Sequence, residues 1–179
     1  MSAFRPLSRI AAVLALSGTA LAAQAAIWTT VGSTGVVDDT DTGIVEFING
    51  EARVRAVAPA GSLLNLRYNV VQLAGFDGPG SYTLRVRFRD NGAGARVLMN
   101  LRRYNTTGTT TQVASFDSNA FPAAVGYQTR ERCINVDWDF NAGAYFLDVE
   151  MAKSAAAGTP GLATVQLVRR VAICPVILP

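Results

Sequence analysis

The sequence predicts an all-β fold, most simply a jelly-roll-like antiparallel β-sandwich in a single domain. No long stretch carries the 3.6-residue apolar period of an amphipathic helix, whereas a two-residue alternation of apolar and polar side chains recurs along the chain. Clusters of Gly, Asn, Asp and Pro divide the chain into roughly nine or ten short strands, without the crossover helices that a parallel sheet needs.

The first predicted strands lie between residues 44 and 73. Residues 44–48 and 53–57 flank Asn49-Gly50, a dipeptide typical of the type I′ turn that closes a hairpin. Residues 63–73 form a longer predicted strand, and its alternate residues predict one apolar face: Leu64, Leu66, Tyr68 and Val70. The glycine-rich stretch 75–80 then predicts a loop.

The clearest alternation runs over residues 82–90. Apolar side chains point one way and polar ones the other, the two sets being Tyr82, Leu84, Val86 and Phe88 against Thr83, Arg85, Arg87 and Arg89. We expect the turn after Asp90 to return the chain as the neighbouring strand, residues 96–104, followed by a threonine-rich strand that ends near Phe116.

The remaining strands are predicted after a gap. The irregular stretch 117–132 receives no strand assignment. Residues 136–140 and 144–151 predict a second hairpin about Asn141-Ala142-Gly143. After a loop at 154–161, residues 162–168 and 171–174 are expected to close the fold.

Residues 1–25 have the layout of a bacterial-type secretory signal. Arg5 and Arg9 form a basic start, residues 10–16 are almost wholly apolar, and Ala23-Gln24-Ala25 provides the small-x-small cleavage pattern. The apolar run is too short for a lasting membrane span, so no transmembrane anchor is expected in the mature chain. We therefore predict a mature β-sandwich domain at residues 26–179, exported to the periplasm or the extracellular space.

Composition restricts the chemistry of this domain. The formal net charge of the whole chain is +3, and removing the leader takes away two arginines, which leaves +1. Such a near-neutral domain is not expected to bind nucleic acid. The chain has no histidine, which excludes Ser-His-Asp and Cys-His catalysis and histidine-ligated metals. We expect no enzyme activity and no cofactor, with oxygen-ligated calcium as the one open possibility.

Cys133 and Cys174 are the two cysteines of the chain. In an oxidising compartment an even count favours one disulfide, with two buried free thiols as the alternative. The bridge would close a loop of roughly 42 residues, worth about 4 kcal/mol in the chain-entropy model.

Arginines form the most conspicuous polar pattern. Three lie on one face of a single predicted strand, and two on the next strand occupy alternate positions that would point to the same side of a shared sheet. The five candidates for ligand binding are Arg85, Arg87, Arg89, Arg96 and Arg102. A solvent-facing row could hold sulfate, phosphate or carboxylate groups through bidentate guanidinium contacts. The favoured interpretation is instead a surface ladder, in which the arginines face carboxylates of neighbouring strands.

Four carboxylates could provide that ladder: Asp137, Asp139, Asp148 and Glu150. Each alternates with an apolar residue of a predicted strand, which places it on the outer face of a sheet. Two acids near a cleft can also hydrolyse glycosidic bonds, but no other residue completes a recognisable hydrolase motif, so this alternative ranks last.

The acidic turn at residues 38–43 contains three candidate calcium ligands, Asp38, Asp39 and Asp41. The spacing does not fit an EF-hand, because Gly43 occupies the third ligand position and no closing glutamate follows. A solvated turn stabilised by its own side chains is the favoured interpretation.

Aromatic residues in loops or on polar faces could stack against sugar rings, and the candidates are Phe76, Tyr104, Phe121, Tyr127 and Phe146. Each could equally cover the edge of the core.

Several segments resemble a group of short secreted bacterial proteins of unassigned function. They are residues 28–35 (WTTVGSTG), 67–71 (RYNVV), 87–92 (RFRDNG), 116–119 (FDSN) and 158–162 (GTPGL). The resemblance would span most of the mature chain and implies a single secreted domain. It carries over no active-site residue, because the segments are turns and strands.

Two functions are therefore expected as alternatives. The first is a non-catalytic module that binds a carbohydrate or an anionic polymer through the arginine face or the aromatic residues. The second is a structural or surface-assembly protein of the cell envelope, because the apolar residues 171–173 and 176–178 could pack against an envelope partner or a second copy of the chain.

Overall fold

The computed structural model describes residues 27–174, so the predicted leader and residues 175–179 lie outside the described part of the chain. The strands are β1 (Ile27–Val31), β2 (Val36–Val37), β3 (Val45–Ile48), β4 (Glu51–Val54), β5 (Ser62–Val70), β6 (Gly78–Asp90), β7 (Ala95–Asn105), β8 (Thr110–Asp117), β9 (Ala124–Trp138), β10 (Gly143–Lys153) and β11 (Gly161–Arg169). Three short 3-10 turns lie at Gly32–Thr34, Asp39–Asp41 and Ser118–Ala120. Residues 27–174 contain no helix that could cross a membrane.

The strands form two sheets that pack face to face, which confirms the predicted all-β sandwich. Sheet I has the order β3-β4-β11-β6-β9, and β1 pairs with β11 beyond the end of β4. Sheet II has the order β2-β5-β10-β7-β8. Every strand pair is antiparallel.

The core lies between the two sheets. The apolar faces predicted for β5 and β6 are confirmed, since all eight residues are buried: Leu64, Leu66, Tyr68, Val70, Tyr82, Leu84, Val86 and Phe88. Burying each such side chain contributes roughly 1.5–3 kcal/mol to folding. Alternate residues of the same strands are thereby fixed on the outer faces of the sandwich, where a ligand can reach them.

The Asn49-Gly50 hairpin is also confirmed. Ile48 pairs with Glu51, so the turn has two residues, and both have positive φ (51° and 84°). A type I′ turn requires this backbone conformation at both positions, and Asn-Gly adopts it at the lowest cost.

Two other predicted hairpins are wrong. The turn at residues 91–94 carries the chain from β6 in sheet I to β7 in sheet II, and the turn after Trp138 carries it from β9 to β10 in the same way. The first of these turns contains Gly92 and Gly94, both with positive φ, and a distant contact fixes its crossing between the sheets. The carbonyl of Gly94 accepts a hydrogen bond from the Ser154 amide (2.6 Å), and a Cβ at Gly94 would lie 2.6 Å from the Ala155 nitrogen.

Two further segments differ from expectation. Residues 171–174 are not a strand; the Arg170 amide donates to the Ser81 carbonyl (2.8 Å) and the Cys174 amide to the Ser81 hydroxyl (3.1 Å). Within 117–132, where no strand was predicted, a 3-10 turn leads into β9, the longest strand described.

The predicted disulfide between Cys133 and Cys174 is present. Cys133 lies in β9 opposite Thr83 of β6, whereas Cys174 follows β11 on the other side of β6. The bridge therefore fastens the segment after β11 across β6 to the edge strand of sheet I.

Candidate functional site

The outer face of sheet II brings aromatic and polar side chains into lateral rows. Strand register places Asn69 of β5 opposite Phe146 of β10, which in turn lies opposite Arg102 of β7. In the next row Arg67 lies opposite Asp148. These residues alternate with buried ones along their strands, so they all face away from the core.

An open depression of about 590 Å³ lies on this face. It is lined by Arg67, Asn69, Arg102, Tyr104, Thr110, Ala144, Phe146 and Asp148. A second depression of about 530 Å³ at the adjacent end of the sheet shares Tyr104 and Ala144 with the first. The two depressions adjoin at these residues, and we call them together the sheet II groove.

Carboxylates balance the arginines of the sheet II groove. Asp148 lies 3.5 Å from Arg67 Nε and 3.2 Å from Arg102 Nε, and Asp38 lies 3.7 Å from Arg67 Nη1. Two cations thus face two carboxylates, which leaves this part of the groove without net charge. Solvent screens such partly exposed pairs, so their main effect is to orient the side chains.

Polar groups of the groove remain available to a ligand. Arg102 Nε is itself buried, and within residues 27–174 it forms only an ion pair with Asp148, without hydrogen-bond geometry, so any contact of Arg102 with a ligand must come from its terminal nitrogens. Arg67 and Asn69 are exposed. Guanidinium and amide groups on this surface can donate hydrogen bonds, and the Asp148 and Asn69 oxygens can accept them.

The groove rests on a rigid strand. β10 is paired over its full length with β7 on one side, and from Tyr145 to Lys153 with β5 on the other. Its inward residues Tyr145, Leu147, Val149 and Met151 are at most 2% exposed. A strand fixed in this way holds Phe146 and Asp148 in position before any ligand arrives, which lowers the entropic cost of binding.

The five candidate arginines do not form one patch, contrary to the expectation from strand parity. Arg85, Arg87 and Arg89 lie on sheet I, whereas Arg96 and Arg102 lie on the opposite outer face, on sheet II. The reason is the turn at residues 91–94, which crosses between the sheets and does not form a hairpin.

Three of the five arginines have carboxylate partners. Arg85 pairs with Glu131 (2.6 Å), Arg96 with Asp117 (2.7 Å) and Arg102 with Asp148 (3.2 Å). Arg87 and Arg89 have no such partner within the described residues. Their guanidinium carbons lie 5.8 and 5.6 Å from the centre of the Tyr127 ring.

The four carboxylates of the predicted ladder are dispersed. Asp148 takes part in the sheet II groove, and Glu150 follows on the same face of β10. Asp139 lies 3.8 Å from Arg103 at the turn between the sheets, and Asp137 is exposed on β9. Asp137 therefore belongs to sheet I and Asp148 to sheet II, so these two acids do not frame one cleft.

The aromatic candidates also separate. Tyr104 and Phe146 line the sheet II groove, and Tyr127 lies on sheet I. Phe121 is partly buried against Phe116. Phe76 is fully buried in the core, where it packs against other aromatic rings, so for this residue the core alternative holds and sugar stacking does not.

The acidic turn makes contacts within the protein. Asp41 is buried and its carboxylate accepts from the Asn65 amide (2.8 Å) and side chain (3.0 Å), while Asp38 faces Arg67. Asp39 begins the 3-10 turn. Residues 27–174 contain no group of three or more side chains arranged to hold a metal ion, so calcium at Asp38, Asp39 and Asp41 stays an untested prediction.

Sequence reasoning missed Arg67 and Asn69. Both alternate with the apolar residues Leu66, Tyr68 and Val70, so their outward direction was readable from the sequence. What the sequence did not show is that β5 lies beside β10.

Comparisons with known proteins find similarity in fold at low identity. No protein-family model matches the chain, and no curated protein matches it. The C-terminal CBM6 of LamC, a marine laminarinase from Zobellia galactanivorans, is 14% identical with a TM-score of 0.48, over 80% of this chain and 99% of that one. The CBM36-1 domain of a xylanase from the hindgut metagenome of Trinervitermes trinervoides is 12% identical with a TM-score of 0.46, over 79% and 96%. A low-affinity xylan-binding module, CBM86 from Roseburia intestinalis, is 12% identical with a TM-score of 0.43, over 81% and 96%.

Proposed function

We propose that this protein is a non-catalytic carbohydrate-binding domain that holds a neutral glycan chain in the sheet II groove. The observation that carries the proposal is the placement of Phe146 between Asn69 and Arg102 in one row, with Asp148 in the next row. Aromatic rings offer an apolar surface for the C–H faces of sugar rings, and the flanking polar groups fix orientation through hydrogen bonds to hydroxyls.

The charge balance of the groove favours a neutral ligand. Asp148 and Asp38 offset Arg67 and Arg102, so the groove lacks the excess positive charge that would select a polyanion. Sugar hydroxyls both donate and accept hydrogen bonds, which matches the mixture of guanidinium, amide and carboxylate groups.

The shape of the groove favours a chain over a single sugar. Two depressions of about 590 and 530 Å³ meet at Tyr104, and both are open to solvent. A glycan chain could rest one sugar on Phe146 and another beside Tyr104.

Electrophoresis through gels that contain barley β-glucan, xylan or galactomannan tests this function. Wild-type protein is expected to be retarded by at least one of the three, and Phe146→Ala is expected to lose roughly tenfold or more in affinity, since stacking on one ring is worth on the order of 1.5 kcal/mol. Phe47→Ala is the matched control, because Phe47 is 44% exposed on β3 of sheet I, away from the groove. Equal retardation of both variants and wild type, or no retardation of wild type by any of the polymers, would refute the proposal.

We also propose that the protein acts after export, in the periplasm or outside the cell. The Cys133–Cys174 bridge supports this, because disulfides persist in oxidising compartments. Detection of the processed chain in a periplasmic or culture fraction would test it, and retention in the cytoplasm would contradict it.

Self-association is the alternative function. Val171 and Ile173 are 106% and 82% exposed, which leaves two apolar side chains in water at the end of the described chain. Light scattering tests this alternative: a strict monomer at high concentration removes it, and a dimer that dissociates after Val171→Ser and Ile173→Ser supports it.

A further inference from the structure

The outer face of sheet I carries two arginines that the sheet II groove does not use. Arg85, Arg87 and Arg89 all face outward from β6. Glu131 neutralises Arg85 at 2.6 Å, and Gln166 also accepts from it (3.3 Å). Arg87 and Arg89, by contrast, have no carboxylate within ion-pair distance in the described part of the chain.

Arg87 and Arg89 both contact the ring of Tyr127. Its ring centre lies 5.8 Å from the Arg87 guanidinium carbon and 5.6 Å from that of Arg89. The ring extends from β9 over β6 as far as Gly161 of β11, where a Cβ would lie only 2.6 Å from the Tyr127 hydroxyl. Glycine at position 161 therefore makes room for this arrangement.

Backbone contacts leave most guanidinium donors free. Arg89 Nε donates to the Thr159 carbonyl (2.9 Å), which positions the side chain without using its terminal nitrogens. Arg87 is exposed, and the described residues offer its guanidinium only the Tyr127 ring. Each arginine thus retains its two-nitrogen edge for an anion.

The neighbouring strands β3 and β4 carry two acids, and within the described residues neither forms an ion pair with Arg87 or Arg89. Glu46 pairs with Arg53 at 2.8 Å. Glu51 approaches the Tyr127 hydroxyl without hydrogen-bond geometry, and it contributes, after burial, to raising the pKa of Tyr127. Two like charges on one ring repel each other, and an anion between them would remove that repulsion.

We propose that Arg87, Arg89 and Tyr127 form a second binding site, which takes the sulfate ester groups of an acidic polysaccharide. A sulfate ester presents three terminal oxygens in different directions, so two can face one guanidinium and the third the other, whereas the two coplanar oxygens of a carboxylate can form the bidentate pair with only one guanidinium. The site lies on the opposite side of the sandwich from the sheet II groove, so the two sites bind independently.

The second site is tested by chromatography on immobilised dextran sulfate at about physiological salt. Unsubstituted dextran serves as the reference matrix. Arg87→Gln is expected to weaken binding roughly tenfold, the loss of one charge-assisted contact. Arg85→Gln is the matched control, since it removes the same charge from the same strand face but from an arginine already paired with Glu131, and it is expected to change binding less than about twofold.

Three results would overturn the proposal. Wild type could bind dextran sulfate no better than dextran, the two glutamine variants could weaken binding equally, or polygalacturonate could bind as tightly as the sulfated polymer. Phe146→Ala is expected to bind dextran sulfate like wild type, and Arg87→Gln to bind neutral polysaccharide like wild type, which separates this site from the proposed function.

Discussion

Removal of the Cys133–Cys174 disulfide provides a quantitative test of how the chain is held together. The bridge joins residues 41 apart, and the loop between them contains β10 and the whole of β11. In the reduced unfolded chain this loop is free to expand, so the chain-entropy model gives a loss of about 4 kcal/mol in the free energy of unfolding. For a domain of this size the melting temperature is then expected to fall by roughly 8–16 °C.

The assay is urea unfolding of the oxidised protein, the reduced protein and the double variant Cys133→Ala/Cys174→Ala. The reduced protein and the double variant should agree within about 1 kcal/mol, because most of the effect comes from the unfolded state. Reductant should not affect the double variant, which serves as the control. A loss below about 1 kcal/mol would refute the reasoning, since the bridge would then not restrict the unfolded chain as the chain-entropy model requires.

Two further predictions concern buried and paired carboxylates. Asp90→Ala is expected to cost about 2–3 kcal/mol in urea unfolding, because Asp90 is 3% exposed and accepts from the Ser118 hydroxyl and the Gly92 amide; a cost below about 0.5 kcal/mol would contradict this. The hydrogen bond from Arg96 lowers the pKa of Asp117, so this pair contributes stability above about pH 3.9, the unfolded value, and loses it as pH falls through the folded pKa. Asp117→Asn should therefore lose less stability than wild type between pH 6 and pH 3, and equal losses would show that the pair is without effect.

The sequence predicted the strands wherever burial is one-sided. β5 and β6 alternate strictly because the core covers one face of each and water the other, so the two-residue period appears directly in the residue types. β9 was missed over its first half because it is an edge strand whose residues from 124 to 133 are all exposed or partly exposed. Without a buried face the alternation disappears.

Local turn chemistry could not tell a hairpin from a crossing between sheets. Asn49-Gly50 was predicted correctly because a two-residue turn with two positive φ angles specifies the pairing of its own flanking strands. The longer turn at residues 91–94 depends on Ser154, some sixty residues away, which holds Gly94. Because this turn crosses between the sheets, the five arginines that were predicted to share one face lie on two opposite faces.

Single residues of the candidate site were predicted from the sequence, but their common location was not. Tyr104, Phe146, Arg102 and Asp148 were each singled out by residue type and parity, yet their common location depends on the pairing of β10 with β7. Arg67 and Asn69 joined them through the pairing of β10 with β5, which is set by the fold of the whole sheet.

Backbone amide chemical shifts recorded during titration with cellohexaose, xylohexaose and mannohexaose test the central proposal most directly, because they locate the ligand as well as detect it. Saturable shifts are expected at Asn69, Arg102, Phe146 and Asp148, with Arg87 and Thr129 on sheet I unchanged. Shifts confined to sheet I, or no shifts with any of the three oligosaccharides, would contradict glycan binding in the sheet II groove.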